Sequence, residues 1–199
     1  DGRFKIKDEI IGFFEGARLR LGGHVDFSRD SLGIKIAGEL LDLEIDKKFV
    51  ERLADLPHPG GEVSEQLTEW GLPGPVDIAF NLAQDPGLGG ENRLVPNLVV
   101  HLKGCDLKYK GFPYLLRNLR GEIQLDETGL RMRSLHATDG PLSLLARGTV
   151  DYSRKGDETY SAHVWISGLG VDEKVYKAFE PETAQVLSDL RMQGSVDLQ

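Results

Sequence analysis

The sequence predicts a mostly β protein of the α+β class: a long antiparallel, curved meander sheet of repeated units with two short helical excursions. Three observations predict this class. Apolar and polar residues alternate with a period of two, short turns separate the alternating runs, and one block of the chain recurs. Such alternation is typical of strands with one buried and one solvated face. Parallel strands covered on both faces are continuously apolar instead, so we expect antiparallel pairing.

The alternating runs follow one another along most of the chain. In the first run, Leu19, Leu21 and Val25 share one parity, while Arg18 and Arg20 share the other. The predicted strands lie within residues 17–27, 32–36, 76–82, 98–103, 119–126, 130–132, 142–152 and 160–166. Residues 126–129 and 139–140 supply the Asp and Gly typical of tight reversals, which predicts sequential hairpins.

Two segments break the alternation and predict the helical excursions. In the first, Asp46 is placed to cap a helical run that has Phe49 on its apolar side. Residues 57–61 interrupt this run, which then resumes as far as Trp70 with apolar residues at spacings of four and three. The second excursion, at residues 172–190, begins with another capping Asp and has Pro at the start of its second part.

The two excursions lie in matching contexts, which predicts an internal repeat. The matched segments are residues 23–29 with 148–154, 43–49 with 169–175, and 74–78 with 194–198. We therefore predict a first unit at residues 1–83 that lacks its start, a connecting loop at 84–94, and a second unit at 95–199 that lacks its end. Adjoining strands of the two units are expected to form one continuous sheet.

The composition excludes several classes of protein. With 32 acidic and 24 basic residues the net charge is −8, which argues against a nucleic-acid partner held by phosphate contacts. The single cysteine excludes an internal disulfide framework and a cysteine-based zinc site. Because the chain starts without Met and its last residues continue an alternating run, we expect a piece of a longer protein.

Residues with catalytic or metal-binding chemistry are scattered along the sequence. Cys105 has no Cys or His nearby, so we expect a small buried side chain. No metal-ligand spacing occurs among the five histidines, which are His24, His58, His101, His136 and His163. Four aspartates recur at equivalent places and are expected to end or turn strands; they are Asp26, Asp77, Asp151 and Asp197. We expect a protein that is not an enzyme, with no catalytic residue, metal or cofactor. A hydrolase would need His and Asp residues from separate strands to meet in one cleft.

The alternation leaves one apolar face on many strands, and something must cover that face. Burial of apolar area is worth roughly 25 cal/mol per Å². Three arrangements satisfy this demand: the sheet curls on itself, the helices cover it, or an apolar ligand fills it. An acyl chain in such a groove gains about 0.8 kcal/mol per buried methylene. The residues expected to line this lipid-facing groove are Leu98, Val100, Leu102, Ile123, Leu125, Leu142, Leu144, Val150, Val164 and Ile166.

Four short segments carry a resemblance to a known family. They are Leu107-Lys108-Tyr109, Phe112-Pro113-Tyr114, Leu119-Arg120-Gly121-Glu122-Ile123 and Leu145-Ala146-Arg147-Gly148-Thr149-Val150-Asp151. A strand beginning near Gly-x-Val-Asp after a helix also occurs twice. In these features the chain resembles the repeat region of the AsmA-like superfamily of bacterial envelope proteins, of the AsmA, TamB and YhdP type. The resemblance spans nearly all of the chain, and its motifs are strand and turn patterns without an invariant catalytic residue.

The resemblance implies a long taco-shaped sheet, open along one side, with an apolar inner groove. Proteins of this family are anchored in the inner membrane, extend through the periplasm and are implicated in moving phospholipid towards the outer membrane. For this chain it implies a periplasmic, non-enzymatic β-groove module whose partners are phospholipid, or another acyl-chain lipid, and neighbouring repeats of the same chain. Membrane association would come through other parts of the parent protein. The alternative is a structural module that pairs edge to edge with neighbouring repeats without binding lipid.

Overall fold

The computed structural model describes residues 3–6, 9–27, 33–55, 60–84, 95–108, 115–152, 159–170, 181 and 195–198. The strands are β1 (Arg3–Lys5), β2 (Ile10–Phe14), β3 (Ala17–Asp26), β4 (Gly33–Ile45), β5 (Gly74–Gln84), β6 (Val95–Leu107), β7 (Leu116–Asp126), β8 (Gly129–Asp139), β9 (Leu142–Asp151), β10 (Thr159–Gly170) and β11 (Ser195–Leu198). Two helices, α1 (Lys47–Ala54) and α2 (Gly60–Trp70), lie between β4 and β5 in the chain. The predicted connecting loop after Gln84 lies outside the described residues, as does the second helical excursion apart from Pro181.

The eleven strands form one antiparallel sheet. From β3 to β11 each strand pairs with the next one in the chain, while β1 and β2 pair with different parts of β3. The path across the sheet ends with β1 and β2 on one side and with β11 on the other, so the sheet is not closed. The predicted fold class is therefore confirmed: the protein is mostly β, with an antiparallel meander and two short helices, both of which belong to the first predicted excursion. Because β5 pairs with β6, one sheet runs across both predicted units.

Local sequence signals account for the helices. The backbone N–H of Phe49 donates to Asp46 Oδ1 at 2.7 Å, which confirms Asp46 as the cap of α1. Ser64 Oγ donates to the carbonyl oxygen of Val50 at 2.9 Å and thereby joins α2 to α1. Gly71 follows α2 with a φ of +53°, a conformation that glycine adopts at helix ends without steric cost.

The hydrophobic core lies where these helices meet the sheet. Leu43, Val76 and Cys105 are the largest side chains that are fully buried there. The helices contribute partly buried side chains that pack against this core, namely Phe49, Val50, Leu67 and Trp70. The prediction of a buried Cys105 is confirmed, and desolvation raises the pKa of its thiol. The two helices thus pack against the buried core at one end of the sheet.

Matched residues of the predicted repeat form matching strand pairs. Gly23 pairs with Ile36 across β3 and β4, and the matched Gly148 pairs with Ala162 across β9 and β10. Likewise, Leu43 pairs with Val76, as Leu169 pairs with Val196. The similarity between the two halves of the sequence therefore has a counterpart in strand register.

The two halves also share a β-bulge. The register of β4 against β5 shifts between Leu40 and Leu43, and that of β10 against β11 shifts between Ile166 and Leu169. Asp42 has a φ of 61° within the first bulge, and Gly168, at the matched place, has a φ of 66°. Since a bulge bends its strand and raises the local twist, both halves change direction at the same point.

Two strands were missed by the sequence prediction. β1 and β2 precede the first predicted run, and β2 joins β3 through Glu15 and Gly16, whose φ angles are 50° and 82°. Positive φ at both central residues is typical of a type I′ hairpin turn. The signal was present as the apolar run of residues 10–14 followed by Glu-Gly, but that run does not alternate.

Candidate functional site

The ten residues predicted to line a groove all lie on one face of the sheet. Cross-strand pairs place Leu98 beside Leu125 and Val100 beside Ile123. Pairs further along bring Leu144 beside Ile166 on the same face. The face that bears these ten residues is called the apolar face below, and the opposite one the polar face.

Two rows of paired residues cross the apolar face from β2 to β10. The outer row consists of Ile10, Leu21, Gly38, Phe80, Leu98, Leu125, Leu130, Val150 and Tyr160. The inner row consists of Gly12, Leu19, Leu40, Ile78, Val100, Ile123, Met132, Gly148 and Ala162. Neither row contains a charged residue. At about 4.8 Å between neighbouring strands, each row is roughly 38 Å long.

The helices cover only one end of this face. Leu102, Leu142 and Leu144 are buried, with exposures of 4%, 3% and 8%. Leu102 and Leu144 belong to the cluster against which the helices pack, whereas Leu142 belongs to a second buried cluster with Leu169. These three residues are therefore on the predicted face but inaccessible to a ligand. By contrast, most of the two rows is half-buried, and Tyr160 at the end of the outer row is 75% exposed.

Large side chains cover two of the three glycines within the rows, Gly38 and Gly148, whereas Gly12 has nothing within 4 Å of a Cβ position. A Cβ atom on Gly38 would lie 2.6 Å from Cζ of its cross-strand partner Phe80. A Cβ atom on Gly148 would lie 2.8 Å from Cε of its partner Met132. Each partner thus occupies the space above a glycine, which keeps the apolar surface continuous across the sheet.

Several members of these rows were not among the residues predicted to line the groove. Phe80, Leu130, Met132 and Tyr160 lie on the same face as the ten predicted residues. These four residues follow the same alternation that identified Leu98. Assigning the register of each hairpin from its turn would have placed them beside the predicted groove residues.

Several ion pairs lie on the polar face. Lys103 forms ion pairs with Asp42 and, at 3.2 Å, with Asp77. The hydrogen bond and the charge of Lys103 lower the pKa of the Asp42 carboxyl, and the two carboxylates raise the pKa of Lys103. Asp77 Oδ1 also accepts the backbone N–H of the bulge residue Asp42 at 2.7 Å.

We expect the Asp42 carboxyl to titrate below the ordinary aspartate range, and Lys103→Gln to return its pKa towards that range. Because the folded-state pKa is lowered, the ionised carboxylate stabilises the fold at pH values above its unfolded-state pKa. That stabilisation is lost as the pH falls through the folded-state value. Carboxyl ¹³C chemical shifts recorded against pH measure the titration. Lys35→Gln, which removes an exposed lysine elsewhere on β4, serves as the control, and an equal shift in both variants would contradict the assignment.

The recurring aspartates have different roles. Asp26 and Asp151 are the last residues of β3 and β9, as predicted. Asp77 and Asp197 lie within β5 and β11 instead, so the prediction that they end or turn strands is wrong for these two. At Asp77 the physical reason is the bulge, since its carboxylate accepts the N–H group that the irregular register leaves without a ladder partner.

The described histidines lie on four strands, β3, β6, β8 and β10, as His24, His101, His136 and His163. His101 Nδ1 lies 3.7 Å from Glu122 Oε2. In the part of the chain that the structure describes, no group of three or more His, Cys, Asp or Glu residues is arranged to hold a metal ion.

The fold and site define an open antiparallel meander with one apolar face, one end of which packs against the helices. No family model, no curated protein and no solved structure matches this chain. Neither described helix has both the length and the hydropathy needed to cross a membrane.

Proposed function

We propose that the outer and inner rows bind the acyl chains of a lipid. The observation that carries this proposal is the continuity of two apolar rows over nine strands, half-exposed at the end of the face that the helices leave uncovered. Residues two apart on a strand are separated by about 6.8 Å. The space between the outer and inner rows, called the seam below, therefore has a width that suits an extended hydrocarbon chain.

Burial of the hydrocarbon chain supplies the free energy of binding. An acyl chain laid in this seam gains about 0.8 kcal/mol for each methylene removed from water. It needs no polar contact along its length, since the strands satisfy their backbone groups by pairing. A site of this kind requires neither a catalytic residue nor a cofactor.

The resemblance to the AsmA-like superfamily supports the same function and extends it. By that resemblance, the chain is a non-enzymatic module of a periplasmic protein anchored in the inner membrane, and it conducts phospholipid between the two membranes. Neighbouring repeats of the parent protein would continue the apolar face.

Replacing Leu98 and Leu125 together by glutamine is expected to weaken acyl-chain binding at least about tenfold, because the two paired side chains line the centre of the outer row. Fluorescence of cis-parinaric acid measures the binding, and circular dichroism melting confirms that the variant is folded. The matched control, Ala79→Gln with Val99→Gln, changes a half-buried pair on the polar face. Absence of binding by the unaltered chain, or an equal loss in both double variants, would refute the proposal.

A second candidate function, edge-to-edge pairing with further strands, is favoured by β2. This strand lies on the edge of the sheet and exposes large apolar side chains on both faces. Ile11 and Phe13 are 67% and 78% exposed on the polar face, and Ile10 is 49% exposed on the apolar face. An apolar edge strand is a template for pairing. If edge-to-edge pairing is the function, we expect the chain to self-associate in sedimentation velocity runs and not to bind cis-parinaric acid.

A further inference from the structure

A cleft of about 310 Å³ opens on the polar face above β8, β9 and β10. Its polar lining consists of Arg131, Arg133, Arg147, Thr149, Ser161 and His163, and this group is called the arginine cleft below. Three arginines and a histidine thus border one cleft in a chain whose net charge is −8. The side chains of this polar lining lie on the face opposite the two apolar rows, and Met132 and Gly148 of the inner row also border the cleft.

The positive charges of the cleft are only partly compensated. Arg133 Nη1 lies 3.5 Å from Glu122 Oε1, and Glu122 is shared with His101. Among the described residues, no carboxylate lies within ion-pair distance of Arg131 or Arg147. Asp126 lies at the turn beyond the cleft, and its carboxyl pKa is lowered mainly by hydrogen bonds from Thr128, with a smaller contribution from the charge of Arg131.

An aromatic side chain restrains one of these arginines. The guanidinium carbon of Arg147 lies 5.1 Å from the centre of the Trp165 ring, and His163 stacks on the same indole with ring centres 6.0 Å apart. Cation–π contacts of this kind restrain a guanidinium while leaving its N–H donors available. Arg147 and His163 are also cross-strand partners, so both reach the cleft from adjacent strands.

The repeated fold itself does not require this cluster. In the matched strands of the first half, the pair equivalent to Arg147 and His163 is Gly22 and Ala37. The same register thus forms there without charge or aromatic stacking. The arginine cleft therefore belongs to the second half, and the strand register that the two halves share does not depend on it.

We propose that the arginine cleft binds a phosphate group. Guanidinium forks match the oxygens of phosphate in pairs and remain charged at all physiological pH values. The hydroxyl groups of Thr149 and Ser161 add neutral donors at the same opening. The cleft exceeds the volume of a bare phosphate ion, so the group would belong either to a lipid headgroup at a membrane surface or to a soluble phosphorylated molecule. The acyl-chain function could fail without affecting this site, since the two lie on opposite faces.

The experiment uses two probes on the complete chain, inorganic phosphate and vesicles. Phosphate binding is followed by the NMR shifts of arginine Nε–Hε groups, and vesicle binding by co-sedimentation with phosphatidylglycerol or with phosphatidylcholine alone. Arg131→Gln and Arg147→Gln are each expected to weaken phosphate binding about tenfold, the usual value of a charged hydrogen bond. Arg20→Gln removes one exposed arginine from the same face on β3 and is expected to leave binding unchanged.

Saturable phosphate binding that only the cleft variants weaken would support the proposal. Retention on phosphatidylglycerol vesicles that is lost in the same variants would place the phosphate on a lipid, whereas phosphate binding without retention would place it on a soluble molecule. The proposal is overturned if inorganic phosphate produces no saturable shift, or if Arg20→Gln weakens binding as much as the cleft variants do. All three positions are exposed, so unchanged melting curves check that the fold is intact.

Discussion

Leu43→Ala is expected to lower the free energy of unfolding by about 2–5 kcal/mol. Leu43 is fully buried, and its cross-strand partner is Val76, which is buried as completely. Helical side chains pack against the cluster that contains both residues. Truncation therefore removes apolar contacts and leaves a cavity beside the paired backbone of β4 and β5.

Urea unfolding followed by circular dichroism measures this effect. The matched control is Leu145→Ala, because Leu145 lies on the polar face and is 36% exposed. We expect that control to cost less than about 1 kcal/mol. Equal losses in the two variants would show that the region under the helices is not the core of the protein.

Gly23→Ala is expected to destabilise the protein by about 3 kcal/mol or more, through backbone strain combined with a steric clash. Gly23 has a φ of +149°, which residues with a side chain rarely adopt. A Cβ atom there would lie 2.1 Å from the carbonyl oxygen of Lys35 and 2.9 Å from Cα of Ile36. Both contacts are with backbone atoms of β4, so relief requires the two strands to separate.

The adjacent glycine provides the control. A Cβ atom on Gly22 would meet nothing within 4 Å, and the φ of Gly22 is not positive. Gly22→Ala is therefore expected to be neutral or to stabilise the protein by about 0.4–1 kcal/mol, because alanine restricts the unfolded chain. Thermal melting of both variants measures the contrast. If the Gly23→Ala and Gly22→Ala variants have the same melting temperature, the close approach of β3 and β4 at Gly23 is refuted.

The matched glycine of the second half has a similar place in the sheet. A Cβ atom on Gly148 would lie 2.7 Å from the carbonyl oxygen of Ser161, at the position that Lys35 occupies opposite Gly23. In both halves, a glycine on the apolar face faces the backbone of the following strand. The recurrence seen in the sequence at these glycines therefore has a steric reason, since a larger residue would push the strand pair apart.

Much of the fold could be predicted from local patterns. The alternation around Leu98 and Leu125 identified their strands and the face they share, because side chains on a strand point alternately to opposite faces. The capping role of Asp46 was predictable because it depends on residues only three positions apart. The edge strand β2 was missed because its run of apolar residues does not alternate and so lacks the signal of a half-buried strand.

By itself, then, the sequence determined the antiparallel meander, its apolar face, the capped first helix and the matched segments of the two halves. The tertiary structure alone decided which part of that face is covered: Leu102 and Leu144 are buried, whereas Leu98 and Val150 remain half-exposed. It also brought Arg131, Arg147 and His163 together from three strands. The physical reason is the separation along the chain over which each signal acts. Parity is a property of neighbouring residues, but helix docking, bulge position and register depend on residues far apart in the chain.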